Sequence, residues 1–110
     1  MDRVKGKVAI VTGSGSGLGR AEAVMLAKEG AKVAVTDIND ANGAETVEII
    51  RAAGGEAEYW HLNASVESEC ADVLAKVVEK FGKLDILVNN AVISGPYVPP
   101  EEVEEADWDK

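Results

Sequence analysis

The stretch Thr12-Gly13-Ser14-Gly15-Ser16-Gly17-Leu18-Gly19 limits most sharply what this chain can fold into, because of what flanks it. Lys7-Val8-Ala9-Ile10-Val11 before it reads as a short buried strand, and Leu18 to Glu29 after it as a helix. A second strand, Lys32 to Thr36, follows and ends on Asp37. Strand, glycine turn, helix, strand and acid is the layout that holds the pyrophosphate and ribose of a dinucleotide.

Each position has a physical reason. Gly13 lets the chain turn sharply out of the first strand. Gly17 lets backbone N–H groups approach a pyrophosphate with no Cβ in the way, and Gly19 lets the helix pack closely on the sheet. The helix N-terminus adds N–H donors and a partial positive charge. Asp37 lies 18 residues past Gly19, close to the spacing of ~20 expected of a ribose-binding acid. Its carboxylate accepts from the ribose hydroxyls and repels a 2′-phosphate. No Arg or Lys stands at Ser16, Ile38 or Asn39 to offset that repulsion, so NAD is the expected cofactor rather than NADP.

The glycine spacing Thr12-Gly13-x-x-x-Gly17-x-Gly19 resembles that of the short-chain dehydrogenase/reductase family, and Asn89-Asn90-Ala91 resembles its Asn-Asn-Ala-Gly motif. The resemblance runs the length of the chain. It implies a cofactor site made from Gly13, Ser16, Gly17, Leu18, Gly19, Asp37, Asn63, Ala64, Asn90 and Ala91. Asn63-Ala64 would lie against the adenine, and Asn89 and Asn90 would support the central sheet and the adenosine pocket. Two positions depart from the family pattern: Asn63 stands where Asp is usual, and Val92 replaces the last glycine of the second motif.

The resemblance also implies hydride transfer between NAD and a small-molecule alcohol or ketone, using an Asn, a Ser and a Tyr-x-x-x-Lys pair. In such enzymes these follow the point where this sequence stops. Neither Tyr59 nor Tyr97 has a lysine four residues on; Asn63 and Glu101 stand there. No catalytic residue is therefore assigned, and residues 1–110 are expected to form the N-terminal part of a single NAD(P)-binding domain. The full-length form is expected to be a homo-oligomer. Two other readings stay open. One is a dinucleotide-binding module without catalysis. The other is an S-adenosylmethionine-dependent methyltransferase, which would share Gly13-x-Gly15-x-Gly17 and the acid but has no need of Thr12, Gly19 or Asn89-Asn90-Ala91.

Alternating apolar patterns predict a Rossmann-like α/β fold, a doubly wound parallel sheet, incomplete at about four strands in the order 3-2-1-4. The first helix is expected to offer Leu18, Ala21, Met25 and Ala27 to the sheet. Asn39 or Asp40 should cap a second helix with Ala44, Val47 and Ile50 inward. A polar third strand, Glu56 to Leu62, suits a sheet edge. Ser65 should cap a third helix carrying Cys70, Val73, Leu74, Val77 and Phe81 as its apolar stripe, with Gly82 as its stop. Leu84 to Val88 reads as a strand buried on both faces.

The remaining features are bland. The formal net charge of −9 disfavours nucleic acid or an anionic membrane as partner, and much of it sits on solvated helix faces and the stretch Glu101 to Asp109. A single cysteine, Cys70, allows no intramolecular disulfide and suits a reducing compartment. With no apolar leader and no run near the ~20 residues that span a bilayer, a cytoplasmic location is expected. His61, the lone histidine, reads as a strand-surface residue rather than a metal ligand. Tyr59 and Trp60 read as edge-strand packing. Ser14 and Ser16 lack a base to activate them and are expected to bond phosphate or cap the turn.

Overall fold

The computed structural model describes residues 4–90. Four strands, β1 (Val8–Val11), β2 (Lys32–Asp37), β3 (Glu56–His61) and β4 (Ile86–Val88), alternate with three helices, α1 (Gly17–Lys28), α2 (Asp40–Ala52) and α3 (Glu67–Phe81). All pairings are parallel, in the order β3-β2-β1-β4. The expected sheet order is the observed one.

Alternation along the strands builds two half-cores. Val11, Val33, Val35 and Ala57 meet Ala23, Ala27, Val47 and Ile50 of α1 and α2. Val8, Ile10 and Ala34 meet Val73 and Val77 of α3 on the opposite face. With both sides covered, β1 is buried at all four positions, which is why its sequence is an unbroken apolar run.

The inward face of α1 differs from the expected one. Leu18 and Met25 are 69% and 54% exposed, Ala21 is exposed too, and Gly19, Ala23 and Ala27 are the buried residues. The cause is close approach. A Cβ on Gly19 would fall 2.1 Å from the Gly13 carbonyl oxygen, so only a seam of small residues lets α1 sit this near the turn. On α2, Ala44 is likewise exposed, and Gly43, Thr46, Val47 and Ile50 face inward. Gly43 is matched to the ring of Tyr59, whose Cε1 stands 2.1 Å from where a Cβ would be.

Helix ends follow local chemistry. The Asn39 side chain accepts from Asn42 N–H at 2.9 Å and caps α2. Gly82 ends α3 in the left-handed region, its N–H donating to the Val78 carbonyl. Ser65 does not cap α3. Val66 holds that position, and the Ser65 hydroxyl turns back to the Asn63 side-chain oxygen at 2.6 Å. The acids Glu67 and Glu69 in the first turn of α3 complement its dipole instead.

Strand β4 is shorter than expected, and Leu87 is 59% exposed. Helix α3 packs over Val8, Ile10 and Ala34, one and two strands further in, so its cover does not extend across the outer strand. On β3, Trp60 meets Phe81 edge to face, with ring centroids 6.1 Å apart, which agrees with edge-strand packing.

Candidate functional site

The site begins with the backbone at the carboxyl end of β1. Gly13 and Gly17 have φ of 61° and 58°, a conformation that side chains resist. Between them, Ser14 is fully buried. Its hydroxyl donates to the Val11 carbonyl at 2.7 Å and accepts from Thr36 N–H at 3.0 Å, stitching the turn to β1 and β2. Of the two roles expected for Ser14, capping the turn is the one the geometry shows.

Ser16 is exposed and starts α1, yet its side chain makes no capping bond, and the first turn carries no acid. Helix α2, by contrast, has both a side-chain cap and an acid in its first turn. The first N–H groups of a helix have no intrahelical acceptor, and no side-chain cap or first-turn acid meets those of α1 among the described residues. Beside them, Gly17 has no described atom within 4 Å of where its Cβ would lie. Exposed Leu18 stands in the same first turn.

Asp37 is half-buried at the end of β2. One carboxylate oxygen accepts from Gly15 N–H at 2.8 Å and the other from Asn39 N–H at 2.9 Å. A Cβ on Gly15 would fall 2.7 Å from that carboxylate. The acid is thus locked to the glycine turn. Gly15 was not among the residues expected at the site; its middle place in an alternating glycine–serine run was the available signal.

The second motif reaches the same place. Thr12 donates through its hydroxyl to the Asn89 side-chain oxygen at 2.9 Å and accepts from Asn90 N–H at 2.8 Å. The Asn90 carbonyl lies 3.3 Å from where a Gly13 Cβ would be, and the Asn90 amide donates to Glu22 of α1. Residues 12–19 and 89–90 therefore meet. Ala91 and Val92 lie outside the described residues.

Asn63 and Ala64 follow β3 and Leu62. Asn63 N–H donates to the Glu69 carboxylate at 2.9 Å, and the Asn63 side-chain oxygen accepts from both the Ser65 N–H and hydroxyl. That oxygen is engaged within its own loop. Ala64 lines an apolar cavity of about 80 Å³ together with Thr12, Leu62 and Cys70.

Around Asp37 lies a polar cluster that the sequence did not disclose. The Tyr59 hydroxyl donates to the Asp37 carbonyl at 2.8 Å and to the Asp40 carboxylate, which His61 Nδ1 approaches at 2.8 Å. Burial raises the Tyr59 phenol above its ordinary value, and the Asp40 carboxylate beside it adds to the rise. Hydrogen bonds from Tyr59 and then His61 hold Asp40 below the ordinary carboxylate value. Among the described residues no group of three or more His, Cys, Asp or Glu is placed to hold a metal ion.

The chain is similar to known proteins. The family described as short chain dehydrogenase matches residues 7–110. An uncharacterized oxidoreductase of Thermotoga maritima is 50% identical over 106 residues, 96% of this chain and 41% of its own length. The short-chain dehydrogenase/reductase homolog YusS of Bacillus subtilis is 41% identical over 96% of this chain and 97% of its own length. A 7α-hydroxysteroid dehydrogenase, solved with NADH and 7-oxo glycochenodeoxycholic acid, superposes with a TM-score of 0.82 at 40% identity, over 86% of this chain and 37% of that one. A family match across nearly the whole chain, joined to the strand order and the glycine turn, decides the assignment: the chain belongs to the short-chain dehydrogenase family.

Proposed function

We propose that this chain carries the dinucleotide-holding part of an NAD-dependent oxidoreductase that acts on an alcohol or ketone. The observation that carries this reading is the Asp37 carboxylate, held against the glycine turn by Gly15 N–H at 2.8 Å. The residues fit a dinucleotide. The uncapped N-terminus of α1 suits a pyrophosphate, and among the described residues nothing lies within 4 Å of a Cβ placed on Gly17. Asp37 suits the two hydroxyls of an unphosphorylated ribose, and its charge opposes a 2′-phosphate at short range.

When bound, the nicotinamide supplies or accepts the hydride. Residues 13–19 and Asp37 bind and orient the adenosine half. Thr12 and Asn90 tie the two halves of the site together through the Thr12 hydroxyl. The relative solved with NADH supports a nicotinamide cofactor; the choice of NAD over NADP rests on Asp37.

Titration of the full-length protein with NADH and NADPH, followed by nucleotide fluorescence, tests the reading. NADH is expected to bind more tightly. Asp37→Ala should weaken NADH at least tenfold, on the order of one or two hydrogen bonds to a charged group, and should narrow the gap to NADPH. Equal affinity for both nucleotides in the unsubstituted protein overturns the assignment.

A further inference from the structure

Arg20 follows the last glycine of the turn, yet its guanidinium points across to α2. Its Nε donates to the Thr46 hydroxyl at 2.9 Å. One terminal nitrogen reaches the Gly15 carbonyl at 2.6 Å, the Asn42 carbonyl at 3.2 Å and Glu45 at 3.1 Å. Thr46, itself buried, donates through its hydroxyl to the Ser14 carbonyl at 2.8 Å. Two consecutive turn carbonyls, those of Ser14 and Gly15, are therefore held from the α2 side. The N–H of Gly15 faces the other way, onto Asp37.

We propose that Arg20 is a positioning residue for cofactor choice: its forked guanidinium holds the Gly15 carbonyl directly and, through Thr46, the Ser14–Gly15 peptide whose N–H aims the Asp37 carboxylate that separates a free 2′-hydroxyl from a 2′-phosphate. The proposal rests on the reading of Asp37 given above. The fork is needed because one planar group must meet Thr46 and the Gly15 carbonyl together, which a lysine ammonium cannot do. Without it Thr46 loses its partner and the Gly15 carbonyl its donor, the Ser14–Gly15 peptide rotates, Asp37 loses its N–H anchor, and the carboxylate swings from the place where a ribose would meet it. Affinity for NADH then falls more than affinity for NADPH.

The experiment compares NADH and NADPH dissociation constants in the full-length protein with Arg20→Met and Arg20→Lys, and records the Gly15 amide proton by NMR. Arg20→Met is expected to lower the ratio of the two constants about tenfold, the scale of one charge-assisted hydrogen bond. The Gly15 amide should move upfield as it leaves the carboxylate, and Arg20→Lys should fall in between. Equal weakening of both nucleotides by Arg20→Met overturns the proposal, because a merely structural role would do that. If Arg20→Met fails to fold, Arg20→Lys decides: a ratio and amide shift matching the unsubstituted protein overturn the proposal. A protein that prefers neither nucleotide before substitution brings down the Asp37 reading itself; one that prefers NADH and keeps that preference in both variants brings down Arg20 alone.

Discussion

Asp85 shows how one side chain can fix a strand end. Its carboxylate accepts from Val8 N–H at 2.9 Å, and the Asp85 N–H donates to the Val8 carbonyl. That backbone bond first, and Lys83 second, hold the carboxyl below its ordinary value of 3.8. A depressed folded value stabilises the fold fully above 3.8, and the contribution disappears as pH falls through the folded value. Asp85→Asn should therefore melt lower than the unsubstituted protein at neutral pH, with the difference closing under acid; thermal melts across pH 7 to 2 check this. At this scale the sequence disclosed the residues whose type is forced, such as Gly13 and Asp37. It did not disclose partners chosen by geometry. Arg20, Thr46 and Tyr59 converge on the site from three elements, and no spacing rule links them.

Elements were legible where periodicity was strong and misread where size was taken for burial. The stripe of α3 and the run of β1 stand as expected. The seam of α1 does not, because close helix-to-turn packing selects Gly19, Ala23 and Ala27 over Leu18 and Met25. Hydrophobicity ranks those large residues as core; the Gly13 carbonyl, fixed by tertiary structure, decides otherwise. Two substitutions separate the two views. Ala23→Leu should cost about 1–3 kcal/mol by overpacking, whereas Met25→Lys should stay within about 0.5 kcal/mol, as exposed changes do. Chemical denaturation of both variants measures the contrast, and comparable losses would restore the face expected from hydrophobicity. The cap of α3 was missed for a related reason. Ser65 is a good capping residue, but its hydroxyl is turned away to donate to the Asn63 side-chain oxygen, and Val66 takes the capping position.

At the scale of the molecule, the order β3-β2-β1-β4 was readable because a glycine turn, an acid and alternating helices admit few other windings. The exposure of Leu87 was not, since a buried-looking Ile-Leu-Val run says nothing about how far a neighbouring helix extends. Strand β4 pairs with β1 on one side only among the described residues, and such edges recruit other chains. Residues 1–110 prepared alone should associate with rising concentration in sedimentation velocity, and Leu87→Lys should reduce that association. A clean monomer with a sharp two-state melt would refute this. The Thr12 clasp carries a further consequence. It joins positions 78 residues apart, nearly the full span from first strand to last. A chain emerging from the ribosome carries its glycine turn early but cannot finish the pocket until β4 docks beside β1. Any ligand that needs both halves stabilises only molecules that have closed that joint, so a nucleotide bound there would favour molecules in which β4 has docked over those in which it has not.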